Sequence, residues 1–299
     1  MSVANVEVAL DYAYLLPSAS GGTVANQVPQ FTKGVNLTVS EDSAAVINNA
    51  RISSSSPGAG EEWQTLSYLV SSNNAALFLV APAISPAGTL TFQPAANASG
   101  LAEVTVRVQD NGGTANGGID TSPPQTFFIT VTPVNDPPVA IGDSLYAHSQ
   151  VTSAFPAAGL LANDMDVDGD LLDISSVTSP SAAGAVVSLA GAVVNYDPPV
   201  NHAGADSFQY TVVDGKGGAS SAQVSVTVVR PEVTAWSATG GMLRLEFKGI
   251  PNRAYQLQTS ENLGAWSDFL TPVTNTLGTL LWEMPITEGE DLRFYRFKW

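Results

Sequence analysis

The chain contains no cysteine. That excludes a disulfide framework and any thiolate metal site. Charge is scarce too: charged residues make up 13% of the chain, where about a quarter is usual. Positive charge is the scarcest, with 11 Lys and Arg against 27 Asp and Glu and a net charge of −16. An acidic body of this kind repels nucleic acid and anionic lipid, and it attracts metal cations. The two histidines, His148 and His202, are too few for a convincing zinc site. No Gly-x-Ser-x-Gly elbow occurs. Gly215-Lys216-Gly217-Gly218 lacks P-loop spacing and reads as a hairpin turn. The chain is therefore expected not to be an enzyme. No run of eighteen apolar residues exists, so no membrane span is predicted. The first sixteen residues lack a basic segment, and Glu7 and Asp11 interrupt their apolar positions, so they do not read as a secretory signal.

What is present is β-forming and unevenly charged. Hydrophobic residues are 44% of the chain, ordinary for a globular protein. Ala, Ser, Thr, Val, Gly and Asn fill the places that surface helices give to Glu, Lys and Arg. Residues 1–230 carry 19 acidic and 5 basic side chains, whereas residues 231–299 carry 8 and 6. Cation attraction is thus expected in the body of the chain and not in its tail.

Short alternating runs recur with turn signals between them, the pattern of antiparallel sandwiches. Residues 1–28 read as an extension or the remnant of a preceding domain, with a strand at Val6, Val8 and Leu10. Residues 29–135 form a first unit, including Leu66, Tyr68 and Val70, then Val104, Val106 and Val108, and finally Phe127, Ile129 and Val131. Ser53 to Gly60 reads as a flexible loop. Residues 136–231 repeat the plan, with Phe208, Tyr210 and Val212 before a tight Asp-Gly turn and Val224, Val226 and Val228 after it. Ile129-Thr130-Val131 and Val226-Thr227-Val228 close the two copies, with Pro133 and Pro231 following. The copies define an internal repeat of whole domains, roughly 95 residues in period. Residues 232–299 hold four of the five tryptophans, Trp236, Trp266, Trp282 and Trp299. They read as a small third sandwich, with the tryptophans expected mainly in its core. The fold class is thus all-β, tandem antiparallel sandwiches in an elongated array.

One stretch stands apart. Asp164, Asp166, Asp168 and Asp170 place a carboxylate at every second position, with Gly169 before the last. Four like charges so close repel unless something positive neutralises them. Hard divalent cations prefer such oxygens, and Ca2+ takes more of them, in looser geometry, than Mg2+. The stretch also matches the start of an EF-hand loop, but the twelfth position, which should be Glu, is Ser175. No amphipathic helices flank it. The plain alternative is a solvated acidic turn; the spacing, together with Asn135 and Asp136 in the linker, favours Ca2+. Glu61-Glu62 reads as loop surface, and Asp120 is a candidate partner for the turn at Asp110.

These motifs resemble the cadherin-like tandem repeats of bacterial surface and secreted proteins. The resemblance rests on Val134-Asn135-Asp136-Pro137-Pro138, on Leu161 to Leu171, on Ala203 to Tyr210 with Val213-Asp214-Gly215, and on Val39-Ser40-Glu41-Asp42-Ser43 with Gln109 to Gly113 in the first copy. The tail, with Tyr255-Gln256-Leu257, Trp266 and Phe294-Tyr295-Arg296, resembles fibronectin-like C-terminal modules. The first resemblance implies immunoglobulin-like sandwiches with Ca2+ at their junctions. Its ligands would be Glu41 or Asp42, Asn135 and Asp136, then Asp164, Asp166 and Asp214, beside the Asp168 and Asp170 that the spacing itself supplies. Tyr146-Ala147-His148 stands where an acidic pair would serve the next junction, so the junction near residue 231 is expected to lack an ion. The implied role is a non-enzymatic extracellular or cell-surface module, part of a longer chain. Its partners would be other repeats of the same protein and a cell-surface protein or polysaccharide, with no nucleic acid. The alternative is the accessory tail of a secreted hydrolase whose last domain binds carbohydrate or serves in sorting or anchoring.

Overall fold

The computed structural model describes residues 25–286 and 293–298. The strand expected at Val6 to Leu10 and the terminal Trp299 lie outside the described residues. The chain divides into two compact units, 1–134 and 135–299.

The first unit is built from β1 (Gln30–Lys33), β2 (Leu37–Ser40), β3 (Val46–Asn48), β4 (Ile52–Ser56), β5 (Leu66–Ser72), β6 (Phe78–Ile84), β7 (Leu90–Pro94), β8 (Gly100–Asp110) and β9 (Gln125–Thr132). One sheet runs β2-β9-β8-β5, a second runs β3-β7-β6, and β1 and β4 pair as a ribbon. Alternation drives this arrangement. Ala102, Val104, Val106 and Val108 of β8 are all buried, as are Phe127, Ile129 and Val131 of β9, and they form one core with Leu90 and Phe92 of β7. Each fully buried Val or Phe is worth about 1.5–3 kcal/mol of apolar transfer. The Ser/Gly/Pro stretch departs from expectation. Ser53 to Ser56 is strand, with Gln30 opposite Ser56 and Phe31 opposite Ser55. Phe31 goes into the core, and the ribbon's outer face is stitched by the Ser54 hydroxyl donating to Thr32 Oγ1 at 3.0 Å. A serine run reads as loop by composition, yet it needs only a partner strand whose apolar side chains supply the burial.

The second unit contains two separate cores. Its first part comprises β10 (Asp143–His148), β11 (Ser153–Pro156), a four-residue α1 (Ala157–Leu160), β12 (Asp173–Val177), β13 (Val186–Ala190), β14 (Val193–Asp197), β15 (Gly204–Val213) and β16 (Ala219–Val229). The sheets run β10-β16-β15-β12 and β11-β14-β13. β10 joins β16 in parallel, as β2 joins β9 in parallel in the first unit. The internal repeat is thus a repeat of topology. The remaining strands are β17 (Glu232–Thr239), β18 (Met242–Lys248), β19 (Gln256–Ser260), β20 (Ser267–Leu270), β21 (Thr279–Pro285) and β22 (Phe294–Lys298). They make two three-stranded sheets, β17-β18-β21 and β20-β19-β22, around Phe247, Tyr255, Leu257 and Phe297.

The described tryptophans of the tail have three different placements. Trp282 packs against that small core, edge-on to Phe269 at 5.8 Å. Trp266 lies under the Arg296 guanidinium, 4.2 Å from its ring centre. Trp236, on the outer strand β17, is 72% exposed. Core packing therefore accounts for Trp282 and not for Trp236.

Candidate metal centre

The acidic stretch is delivered by α1 and the single turn Leu161–Asn163, after which the chain extends at Asp164. Met165 pairs with Val139, each donating its N–H to the other's carbonyl, at 3.1 and 2.7 Å. This pairing fastens the linker to the acidic loop. The loop then turns at Gly169, whose φ of 76° lies in the region that glycine adopts without penalty.

The loop is inside out with respect to polarity. Met165 and Val167 are 61% and 55% exposed, while Asp164, Asp166 and Asp170 are half-buried. Alternation has turned the apolar side chains to solvent and three of the four carboxylates inward, leaving Asp168 exposed, the reverse of what burial energetics favour for those three.

Asp166, Asp168 and Asp170 each present an oxygen within 4.8 Å of the others. Each such pair repels by roughly 1–4 kcal/mol, depending on how much water screens it. Lys216 Nζ stands 3.6 Å from Asp170 Oδ1, but the lysine is exposed and the pair lies at the surface, where it is worth about 0–1 kcal/mol. It does not offset three mutual repulsions. One oxygen of Asp166 accepts the N–H groups of Asp168 and Asp170, at 2.9 and 3.3 Å. The other, Oδ2, is buried and receives no hydrogen bond from the described residues. The donor set is all oxygen and anionic, with a buried acceptor left over, and it fits a hard cation.

The linker closes over this group. The Asp136 N–H donates to Asp168 Oδ2 at 2.8 Å. The Asn135 side-chain amide donates to Asp214 Oδ2 at 2.7 Å. Asp214 sits at the start of the β15–β16 turn, where its Oδ1 accepts the N–H groups of Lys216, Gly217 and Gly218. The Asn135 amide and then these backbone donors hold the Asp214 carboxyl below the usual carboxylate range. Gly218 is required by packing: a Cβ there would stand 2.2 Å from Asp214 Oδ2 and 2.7 Å from the Pro137 Cα.

The expected ligands thus separate into groups. Asp166, Asp168 and Asp170 come together, with Asp136 and Asn135 beside them through Asp168 and Asp214. Asp164 is a brace: its Oδ1 accepts the Ile141 N–H at 2.7 Å, and both its oxygens lie 3.1 Å from the Tyr210 hydroxyl. Glu41 and Asp42 belong to the first unit. Buried Glu41 accepts the Val134 N–H at 2.7 Å and so holds the start of the linker, while Asp42 accepts the Asn97 N–H.

Asp143 was not foreseen. Burial, and secondarily the charge of Asp164, push its carboxyl above the usual range, against a hydrogen bond from Tyr210. Tyr210 is itself pushed up by burial and by these two carboxylates. Only the apolar alternation of β10 could have pointed to this site, and it shows nothing of the buried phenol opposite. The Asp110 turn does meet Asp120, but through the backbone, the Asp110 N–H donating to the Asp120 carbonyl at 3.0 Å.

Linker, acidic loop and hairpin turn now stand in one place on a sandwich with a parallel first strand. Residues 134–229 match the family model of the cadherin-like domain. No curated protein matches the chain. Among solved structures, three tandem domains of human CDH23 (EC21-23) align over 91% of this chain and 99% of theirs, with 14% identity and a TM-score of 0.41. The human desmocollin-1 ectodomain aligns over 91% of this chain and 58% of its own, with 11% identity and a TM-score of 0.39. An endo-fucoidan hydrolase of glycoside hydrolase family 107 aligns over 68% of this chain with 17% identity and a TM-score of 0.28, and the match spans 29% of that enzyme. The stretch that matches this model, 134–229, contains the whole acidic group and the linker residues that close over it. Among the described residues, no helix is long and apolar enough to cross a membrane.

Proposed function

We propose that the cadherin-like repeat binds Ca2+ through Asp166, Asp168 and Asp170, with Asp136 and Asn135 contributing from the linker. The observation that carries this reading is the inverted acidic loop: Asp166 and Asp170 turned inward beside an exposed Asp168, apolar side chains turned out, and a buried Asp166 oxygen with no donor among the described residues. The ion supplies positive charge that cancels the mutual repulsion of the three carboxylates. This chain's residues do the rest. The Met165–Val139 pairing and the Asp136 N–H hold the linker against the loop, and Glu41 holds the residue just before it. An ion that locks the loop therefore stiffens the segment joining the two repeats.

The role is mechanical, and it suits a structural or adhesive module outside the cell. There Ca2+ is abundant enough to fill sites with dissociation constants of about 10⁻⁴–10⁻³ M. Partners in this reading are further repeats of the same protein and a surface protein or polysaccharide.

Calorimetric titration with Ca2+, paired with melting in Ca2+ and in chelator, tests the reading. Heat of binding and a higher melting temperature in Ca2+ are expected, with both effects abolished by Asp166→Ala and much reduced in Mg2+. Absence of heat, or an Asp166→Ala protein that binds like the parent, overturns it.

A further inference from the structure

The first unit contains a cavity of about 530 Å3 that the metal reading does not use. Its volume lies within the roughly 300–1,000 Å3 of small-molecule sites. It is lined by Asn26, Gln27, Glu61, Trp63, Gln64 and Asn116 among others. Trp63 is 73% exposed. A large aromatic left in water at the edge of a polar cavity is unusual, because burying it elsewhere would be worth several kcal/mol at about 25 cal/mol per Å2. The other tryptophans are all in the tail.

The polar side of the cavity is built and held. Glu61 accepts the Gln27 N–H with both oxygens, at 3.1 and 3.2 Å. Gln64 donates to Asn26 Oδ1 at 2.8 Å, and Asn26 donates to Asp110 Oδ1 at 2.8 Å. This relay fixes the orientation of both amides. Gln64 is nine-tenths buried, yet its Oε1 receives no hydrogen bond from the described residues. Gly112 leaves room for the relay, since a Cβ there would meet Asn26 Oδ1 at 2.1 Å and Gln64 Nε2 at 2.6 Å.

We infer that this cavity is a binding site for a neutral saccharide. A pyranose ring has one apolar face, suited to the exposed indole, and an edge of hydroxyls that both donate and accept. The amides and carboxylate at the cavity supply both kinds of partner. The charge is decisive for class. The lining holds the carboxylate of Glu61 and no Lys or Arg, in a chain of net charge −16. Sulfated and uronic-acid glycans are repelled, and neutral ones are not. A divalent cation is the weaker occupant, because the oxygens of Glu61 and Asn26 are already occupied by protein donors.

The test is affinity electrophoresis of the whole protein in native gels containing mannan, xyloglucan, hydroxyethylcellulose or starch, with heparin and polygalacturonate as charged controls, each run in Ca2+ and in chelator. Retardation by at least one neutral polysaccharide is expected, with none by the charged pair. Trp63→Ala should weaken it by about tenfold or more, and Asn116→Ala should weaken it less. Trp63 is exposed, so Trp63→Ala should melt like the parent, which separates loss of binding from loss of fold; Asn116 has a φ of 55°, where alanine is strained, so Asn116→Ala is compared well below its own melting temperature. Trp63→Phe should restore part of the retardation. Retardation in no neutral gel, retardation that Trp63→Ala leaves intact, or equal retardation in the charged gels overturns the inference. Retardation that persists in chelator while Ca2+ titration gives no heat would sink the metal reading and leave this one standing.

Discussion

At the scale of single residues, the first sandwich of the second unit depends on buried carboxylates that serve as hydrogen-bond acceptors. Asp206 is the clearest. It is buried, and it accepts from the Ser181 hydroxyl at 2.5 Å, the Tyr196 hydroxyl at 2.5 Å and the N–H groups of Ala183 and Ser207 at 2.7 Å each. Burial raises its carboxyl, but these donors outweigh it and hold it below the usual range. Asp206→Ala strands the Tyr196 and Ser181 hydroxyls and should cost about 2–5 kcal/mol by urea unfolding; a loss under about 0.5 kcal/mol would show that the network contributes little. A carboxyl depressed by folding stabilises above its unfolded pKa, and that contribution is lost as pH falls through its folded value. The parent should therefore lose stability on acidification below the ordinary carboxylate range, with Asp206→Ala losing less. The sequence showed Asp206 only as part of a family motif. Its partners are 10 and 25 residues away and come together only when β14 and the β12–β13 loop pack against β15. Asp166, Asp168 and Asp170 were legible because their spacing is local.

At the scale of elements, strands were readable wherever one face is buried, because the side-chain period of two is then written in the residues. β8, β9, β15 and β16 follow it closely. β4 escaped notice because its serines face water, and its strand character comes from pairing with β1. The turns were harder still, since their role depends on what passes beside them. The β15–β16 turn illustrates this, since Gly218 reads as ordinary turn glycine but supports the linker. Gly218→Ala forces apart the Asp214 carboxylate and the Pro137 backbone. It should destabilise the second unit by about 1–3 kcal/mol and weaken Ca2+ binding, because Asp136 moves with Pro137. Gly191→Ala is the control, since no atom stands within 4 Å of its added Cβ. Its φ of 57° costs stability for backbone reasons, but it should leave Ca2+ affinity unchanged in the same calorimetric titration. Equal losses of affinity in the two variants would mean that the turn has no special hold on the linker.

At the scale of the whole molecule, the chain uses different chemistry along its length. The acidic body ends near residue 230, and within the second unit one contact between its two parts is aromatic. His148, at the end of β10, is buried edge-on against Tyr255, their ring centres 5.7 Å apart. Burial, and then the positive charge of Arg253, lower His148 to about 4. Below about pH 6.5 the unfolded chain takes up a proton on this residue, while the folded chain does not until about pH 4. Stability of the second unit should therefore fall as pH drops across that interval, and the aromatic contact should open first. Replacing His148 with Phe keeps an aromatic ring at Tyr255 and removes the titration. Melting at steps between pH 7 and pH 5, in chelator to silence the carboxylate group, should show a decline for the parent that is substantially flatter for His148→Phe. His202 and the carboxylates are common to both proteins, so the difference between the two curves isolates His148. Parallel curves would mean that the contact carries no pH dependence and that the second unit's acid response lies entirely in its carboxylates.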